Sequence, residues 1–200
     1  DRDVGLQLAQ RLHKRTEVLL RRGMADVLTR MFRRLEWDAV PFLNDMLKDE
    51  DEGVLAAASS TVGDLRFLDS TLWADTMAKL SQHPLAIVRR NLVPFLRDYI
   101  EQYPDDERGL LPLLWQDGDE VVRTRMRELL MRMEEVSPDH FAARIQDFKK
   151  QGCDLEGLWG PLALRRPERN LLWQAWLAGE GQQPQAAKTP PPLHSDMDDS

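Results

Sequence analysis

The side chains best placed for charge chemistry in this chain are its arginines. Arg30 and Arg90 stand two places after Leu28 and Val88, and Arg33 and Arg127 stand five places after Leu28 and Val122. If those apolar residues open helices, each arginine lies beside a buried stripe and not within it. Stacking such helices would align them with Arg97, and with Arg34 and Arg132, into a basic strip. A strip of this kind can hold an acidic peptide or a phosphate backbone. It can equally be a solvated face whose later arginines complement helix C-termini.

Other chemistry finds little support. His13, His83, His140 and His194 are far apart and form no H-x-x-x-H or H-E-x-x-H pair. Cys153 is the sole cysteine, so an internal disulfide and a thiolate metal cluster are both ruled out. Neither a glycine-rich phosphate loop nor a G-x-S-x-G elbow is present. Carboxylates are plentiful but cluster where turns are expected, and capping is their ordinary work there. Trp37, Trp73 and Trp115 share no common place relative to the apolar pattern, which points to packing. The sequence therefore predicts no catalytic residue, cofactor or metal.

The net charge of −7 conceals strong segregation. Residues 1–35 carry nine Lys/Arg against four Asp/Glu, and residues 36–64 carry one against eight. Residues 65–100 carry five against three, and 101–120 one against seven. Alternation on this scale suggests a periodic fold. Hydrophobic residues make up 42%, enough for a core, and aromatics only 7%; the abundant leucine favours helix. No apolar run approaches the ~20 residues that span a bilayer. No signal peptide is expected from the charged N-terminus, and a reducing, cytoplasmic setting is expected, with no membrane partner. The first residue is Asp1 and not Met, so a piece of a longer protein is expected.

The elements that must carry the arginines come in pairs. "LSQHPLAIVRRNLVPFL" from Leu80 and "LWQDGDEVVRTRMRELL" from Leu114 have one pattern, 34 residues apart. The alignment extends backwards, by unequal steps, to Leu47 and then to Leu20. The aligned columns are then Leu28, Leu55, Val88, Val122; Phe32, Ser59, Leu92, Met126; and Leu35, Val62, Phe95, Leu129. Their i, i+4, i+7 spacing is one helical face, and a period of this length marks a solenoid. Earlier partner helices are expected at 37–49, 70–82 and 105–117, with one helix over 3–20 before the array. Helical segments at 137–178 are expected to cap it. The tail 179–200 has no periodicity and is expected to be disordered; its "KTPPPL" is a candidate polyproline II stretch.

Pro41 and Pro112 sit early in first helices, Asp117 and Asp119 sit in a turn, and "IVR" (87–89) and "VVR" (121–123) supply a Val-Arg step. This pattern resembles the HEAT-repeat family, over roughly residues 20–135. The Arg column reads Thr29, Ala56, Arg89, Arg123, so two of four units keep it. The resemblance implies an all-α superhelix, an α-solenoid of about four hairpins with helical caps. It implies that Arg89 and Arg123 bond an Asp in a neighbouring turn and tie successive repeats together. It also implies a non-catalytic scaffold or adaptor that binds a protein, here one with an acidic segment. The alternative is a nucleic-acid-binding module akin to the HEAT-like DNA glycosylases. Oligomeric state is left open by the sequence.

Overall fold

The computed structural model describes residues 2–185, which contain helices and no strand. The polyproline stretch and most of the expected tail lie outside the described residues. The chain forms two compact units, Asp1–Arg127 and Glu128–Ser200.

The first unit is built from helical pairs, the last of which continues past its boundary. Their first helices are α1 (Arg2–Leu12), α4 (Val40–Met46, entered through a 3-10 turn at Glu36–Ala39), α6 (Ser70–Leu80) and α9 (Leu110–Trp115). Their second helices begin with α2 (Val18–Asp26), α5 (Glu52–Ser59), α7 (Ala86–Leu92) and α10 (Glu120–Val136). After a break, α2 continues as α3 (Leu28–Leu35) and α7 as α8 (Leu96–Gln102), while α5 runs on into a 3-10 segment at Val62–Phe67.

One register, the spacing from Leu80 to Leu114, runs through all the pairs. Ala9, Leu43, Met77 and Leu111 form one column, Met24, Ala58, Leu92 and Met126 a second, and Leu28, Val62 and Leu96 a third. All of these side chains are buried. This corrects the unequal steps expected from sequence. In the true register Val54 replaces Leu55 beside Val88, and Leu20 replaces Leu28. The cause is local. Residues 3–20 do not form one helix: the chain turns at 13–17, making α1 and α2 the first pair. The strongly amphipathic α3 imitates α2 in a purely sequential alignment.

The break in the second helix repeats as well. Val27, Thr61 and Phe95 hold the same place in successive pairs and have φ/ψ of −101/0°, −99/−3° and −94/−8°. This is the bridge region, where a helix leaves its regular path. Leu129 holds the next such place, and α10 runs through it unbroken.

Glu128–Ser200 contains the end of α10, then α11 (Pro138–Lys150), α12 (Glu156–Arg165) and α13 (Pro167–Ala178). Phe141, Ile145, Phe148, Leu158, Leu162 and Trp173 are buried in it. The Glu134 carboxylate, 1% exposed, accepts from Trp173 Nε1 at 3.0 Å, from Arg166 at 3.2 Å and from Arg169. These three donors satisfy the buried carboxylate. The chain leaves α13 through Gly179 at φ 83°, a left-handed cap that glycine adopts without strain. Residues 179–185, expected to open a disordered tail, are held. Arg169 Nη1 donates to Gln185 O at 2.9 Å, and Gln183 Nε2 donates to Asp139 at 2.6 Å. No described helix is long and apolar enough to cross a membrane.

Candidate functional site

The repeat pairs are joined by a salt-bridge device that occurs twice among the described residues. In α2, Arg21 places Nε 2.7 Å and Nη2 3.1 Å from the Asp49 carboxylate, while Nη1 donates to the carbonyls of Arg15 and Thr16. In α7, Arg89 places Nε 2.6 Å and Nη2 2.8 Å from Asp117, while Nη1 donates to the carbonyls of His83 and Pro84. The next residues repeat the match: Arg22 is bidentate on Asp51 and Arg90 on Asp119. The two copies are separated by two repeats. Odd-numbered pairs supply Arg-Arg, and even-numbered pairs supply Asp-x-Asp.

The aspartates also shape their own turns. Asp51 accepts from Val54 N and Asp119 from Val122 N, capping α5 and α10. Asp49 and Asp117 accept from the amides two places on, at 2.9 and 2.7 Å. The arginine bonds dominate the titration. Arg21 holds the Asp49 carboxyl below its ordinary range, and Arg22 does so for Asp51. Arg90 holds Asp119 at about 2.

These bonds redraw the expected basic strip. Arg90 belongs with Arg22, not with Arg30, and its guanidinium is engaged by Asp119. Arg97 pairs with Glu101 at 3.0 Å within α8, and Arg127 pairs with Glu120. Arg89 bonds the Asp of the next repeat's turn. Arg123 departs from the expected inter-repeat role: it donates to the Asp117 carbonyl of the turn before its own helix and to Glu120. In the place where Arg21 and Arg89 find an aspartate, the chain after Arg123 has Gln151, which has no carboxylate to offer.

Arg30 and Arg33 are in a different setting. With Arg34 they project from α3 beside a groove of about 910 Å³ between α1 and the α2–α3 segment. The groove is lined with apolar side chains, Leu8, Leu12, Met24, Val27 and Met31 among them. Leu8 is left 55% exposed there. Arg2 closes one end by donating to Leu35 O at 3.2 Å and pairing with Asp38 at 2.8 Å. Among the described residues, Arg30, Arg33 and Arg34 form no ion pair and are exposed. The site thus combines an apolar floor with three unneutralised guanidinium groups on one wall.

The tryptophans divide. Trp73 and Trp115 are buried, as packing requires, whereas Trp37 is half exposed at the surface of the Glu36–Ala39 turn. Among the described residues no three His, Cys, Asp or Glu side chains gather as a metal site would require. The chain matches no known family model, no curated protein and no solved structure.

Sequence reasoning missed Arg21, Arg22, Asp49 and Asp51 as a copy of Arg89, Arg90, Asp117 and Asp119. The signal is present: R-R at 21–22 with D-x-D at 49–51 is matched by R-R at 89–90 with D-x-D at 117–119. It is hidden because the intervening pair has Leu55 and Ala56 in the arginine places, so neighbouring repeats do not match.

Proposed function

We propose that the chain is a HEAT-like α-solenoid that serves as a non-catalytic protein-interaction scaffold or adaptor in the cytoplasm. The observation that carries this reading is the contrast among the arginines. Those of the repeated joints are held by carboxylates and act within the fold. Arg30, Arg33 and Arg34 have no such partner among the described residues and border an apolar groove. A surface with an apolar centre and a charged rim is the ordinary anatomy of a protein interface. Duplex binding calls for a different surface, with cations distributed along many phosphates; here Arg90, Arg97 and Arg127 are already paired with acids.

The test is affinity capture from native extract, with and without nuclease, together with a gel-shift assay on duplex DNA. The reading expects the same proteins in both captures and no duplex shift at physiological salt. Capture that disappears with nuclease, or a clear shift, would replace it with the nucleic-acid reading.

A further inference from the structure

The groove between α1 and α3 has an open floor and a wall of one charge, and both features restrict what can occupy it. Leu8, Leu12 and Met31 supply apolar surface, and methionine adapts its shape to different partners. Arg30 and Arg33 are at i, i+3 on α3, so they face the same side one turn apart. Arg34 lies beside them, and the wall therefore presents cations along the groove and not at a single point. Arg2, fixed on Asp38, marks one end. With 11 residues, α1 is about 16 Å long at 1.5 Å per residue, so the groove matches about three turns of a docked helix.

Gly5 contributes open space to the same groove: a Cβ built on it meets no atom within 4 Å. A phosphate backbone would leave the apolar floor wet. A purely apolar helix would leave three guanidinium groups facing a dry surface. Charge complementarity and the floor together select one class of occupant.

We infer that this groove docks an acidic amphipathic helix from a partner protein, with apolar residues at i, i+3/i+4 and i+7 on the floor and carboxylates on Arg30, Arg33 and Arg34. The inference rests on the scaffold reading and names the partner's chemistry. Helix-in-groove recognition works through such spaced anchors. Carboxylates on guanidinium groups add charge-assisted, geometry-specific bonds.

The experiment titrates the full chain against a fluorescent helical peptide of about five turns, with leucines at that spacing and glutamates flanking them. A scrambled peptide of equal composition and a duplex DNA of about two helical turns serve as comparisons. Binding of the patterned peptide should exceed that of the scrambled one by about tenfold or more, a difference of about 1.4 kcal/mol. It should weaken steeply with salt, because the Debye length falls from about 10 Å at 0.1 M to about 3 Å at 1 M.

Two variants test the site. Arg30→Glu with Arg33→Glu reverses the wall. Gly5→Glu places a competing carboxylate in the open space and improves helix propensity, so the fold is not threatened. Each should reduce binding by about tenfold or more with unchanged circular dichroism, and Arg30→Lys with Arg33→Lys should recover part of it. Equal binding by Gly5→Glu, equal binding of the scrambled peptide, or preference for the duplex would each overturn the inference. Should the patterned peptide fail while nuclease-treated capture still recovers proteins, the groove assignment falls and the scaffold reading stands.

Discussion

The joint between the second and third helical pairs differs from the joints on either side of it. The first and third joints have the doubled Arg–Asp device, Arg21/Arg22 on Asp49/Asp51 and Arg89/Arg90 on Asp117/Asp119. In the middle joint the arginine places hold Leu55 and Ala56, and the aspartate places hold His83 and Leu85. Other contacts take over there. Asn91 Nδ2 donates to Ala56 O at 2.8 Å and to Ser59 Oγ at 2.9 Å, Arg66 pairs with Asp98, and Phe95 lies against Gly63. His83 keeps half of the aspartate's work. Its Nδ1 accepts from Leu85 N at 3.2 Å, the bond that Asp49 and Asp117 make in their own turns. The backbone therefore repeats with every pair, while the ionic chemistry repeats with every second pair. A turn can keep its shape with any acceptor at that place, but the ionic joint needs both partners.

The largest effect should come from removing one carboxylate of the buried device. Asp117 and Arg89 side chains are 3% and 14% exposed. Asp117→Ala leaves a guanidinium without its counter-ion and should cost about 3–5 kcal/mol, read as a fall in thermal midpoint. Asp49→Ala, at the more exposed copy, should fall at the lower end of that range. Equal, negligible losses would show that the device is only a surface decoration.

Acid should separate the joints next. Asp49, Asp51 and Asp119 have folded pKa values below the ordinary 3.8, Asp119 at about 2. Their contribution is complete above about pH 4 and is lost as pH falls through the folded values. Burial, aided by the nearby Arg89 charge, also lowers His83 below its usual 6.5. A histidine that resists protonation in the folded state contributes fully above its usual value and loses that contribution as pH falls. Protection from hydrogen exchange, taken relative to the intrinsic rate at each pH, should therefore fall across residues 83–88 below about pH 6.5, while that at 49–54 and 117–122 should hold until below about pH 4. Simultaneous opening of all three turns would remove the distinction.

A smaller loss is expected at the middle joint itself. Asn91→Ala removes two hydrogen bonds from a half-buried amide and should cost about 1 kcal/mol by chemical denaturation. A cost matching Asp117→Ala would mean that the middle joint is as strongly held as its neighbours.

The smallest effect is a designed gain. Ala56 and Leu85 occupy the places of Arg22 with Asp51 and of Arg90 with Asp119. Ala56→Arg with Leu85→Asp should install the outer pair of the device and give α7 an N-cap side chain it lacks. A double-mutant cycle should return a coupling of about 0.2–1 kcal/mol, the range of exposed ion pairs. Zero coupling would show that the middle joint has a geometry of its own.

The sequence by itself determined the all-helical character, the step between the last two pairs, and the acidic turns that join their helices. These are local matters: apolar residues at i, i+4 and i+7 favour a helix whatever surrounds it, and Asp at the head of a helix satisfies its free amides. Val88, Leu92, Val122 and Met126 could be placed in a core on that basis, and all four are buried. The register of the first pair was decided only in three dimensions. The amphipathic face of α3 is a stronger local signal than that of α2, and only packing shows that the two are halves of one broken helix. The same holds for the arginines. Arg30 and Arg90 look alike in sequence, each two places beyond an apolar residue. Folding brings Asp119 to Arg90 and brings no carboxylate to Arg30 among the described residues. The physical reason is that ion pairing depends on atoms a few ångströms away in space, which the chain supplies here from the following repeat.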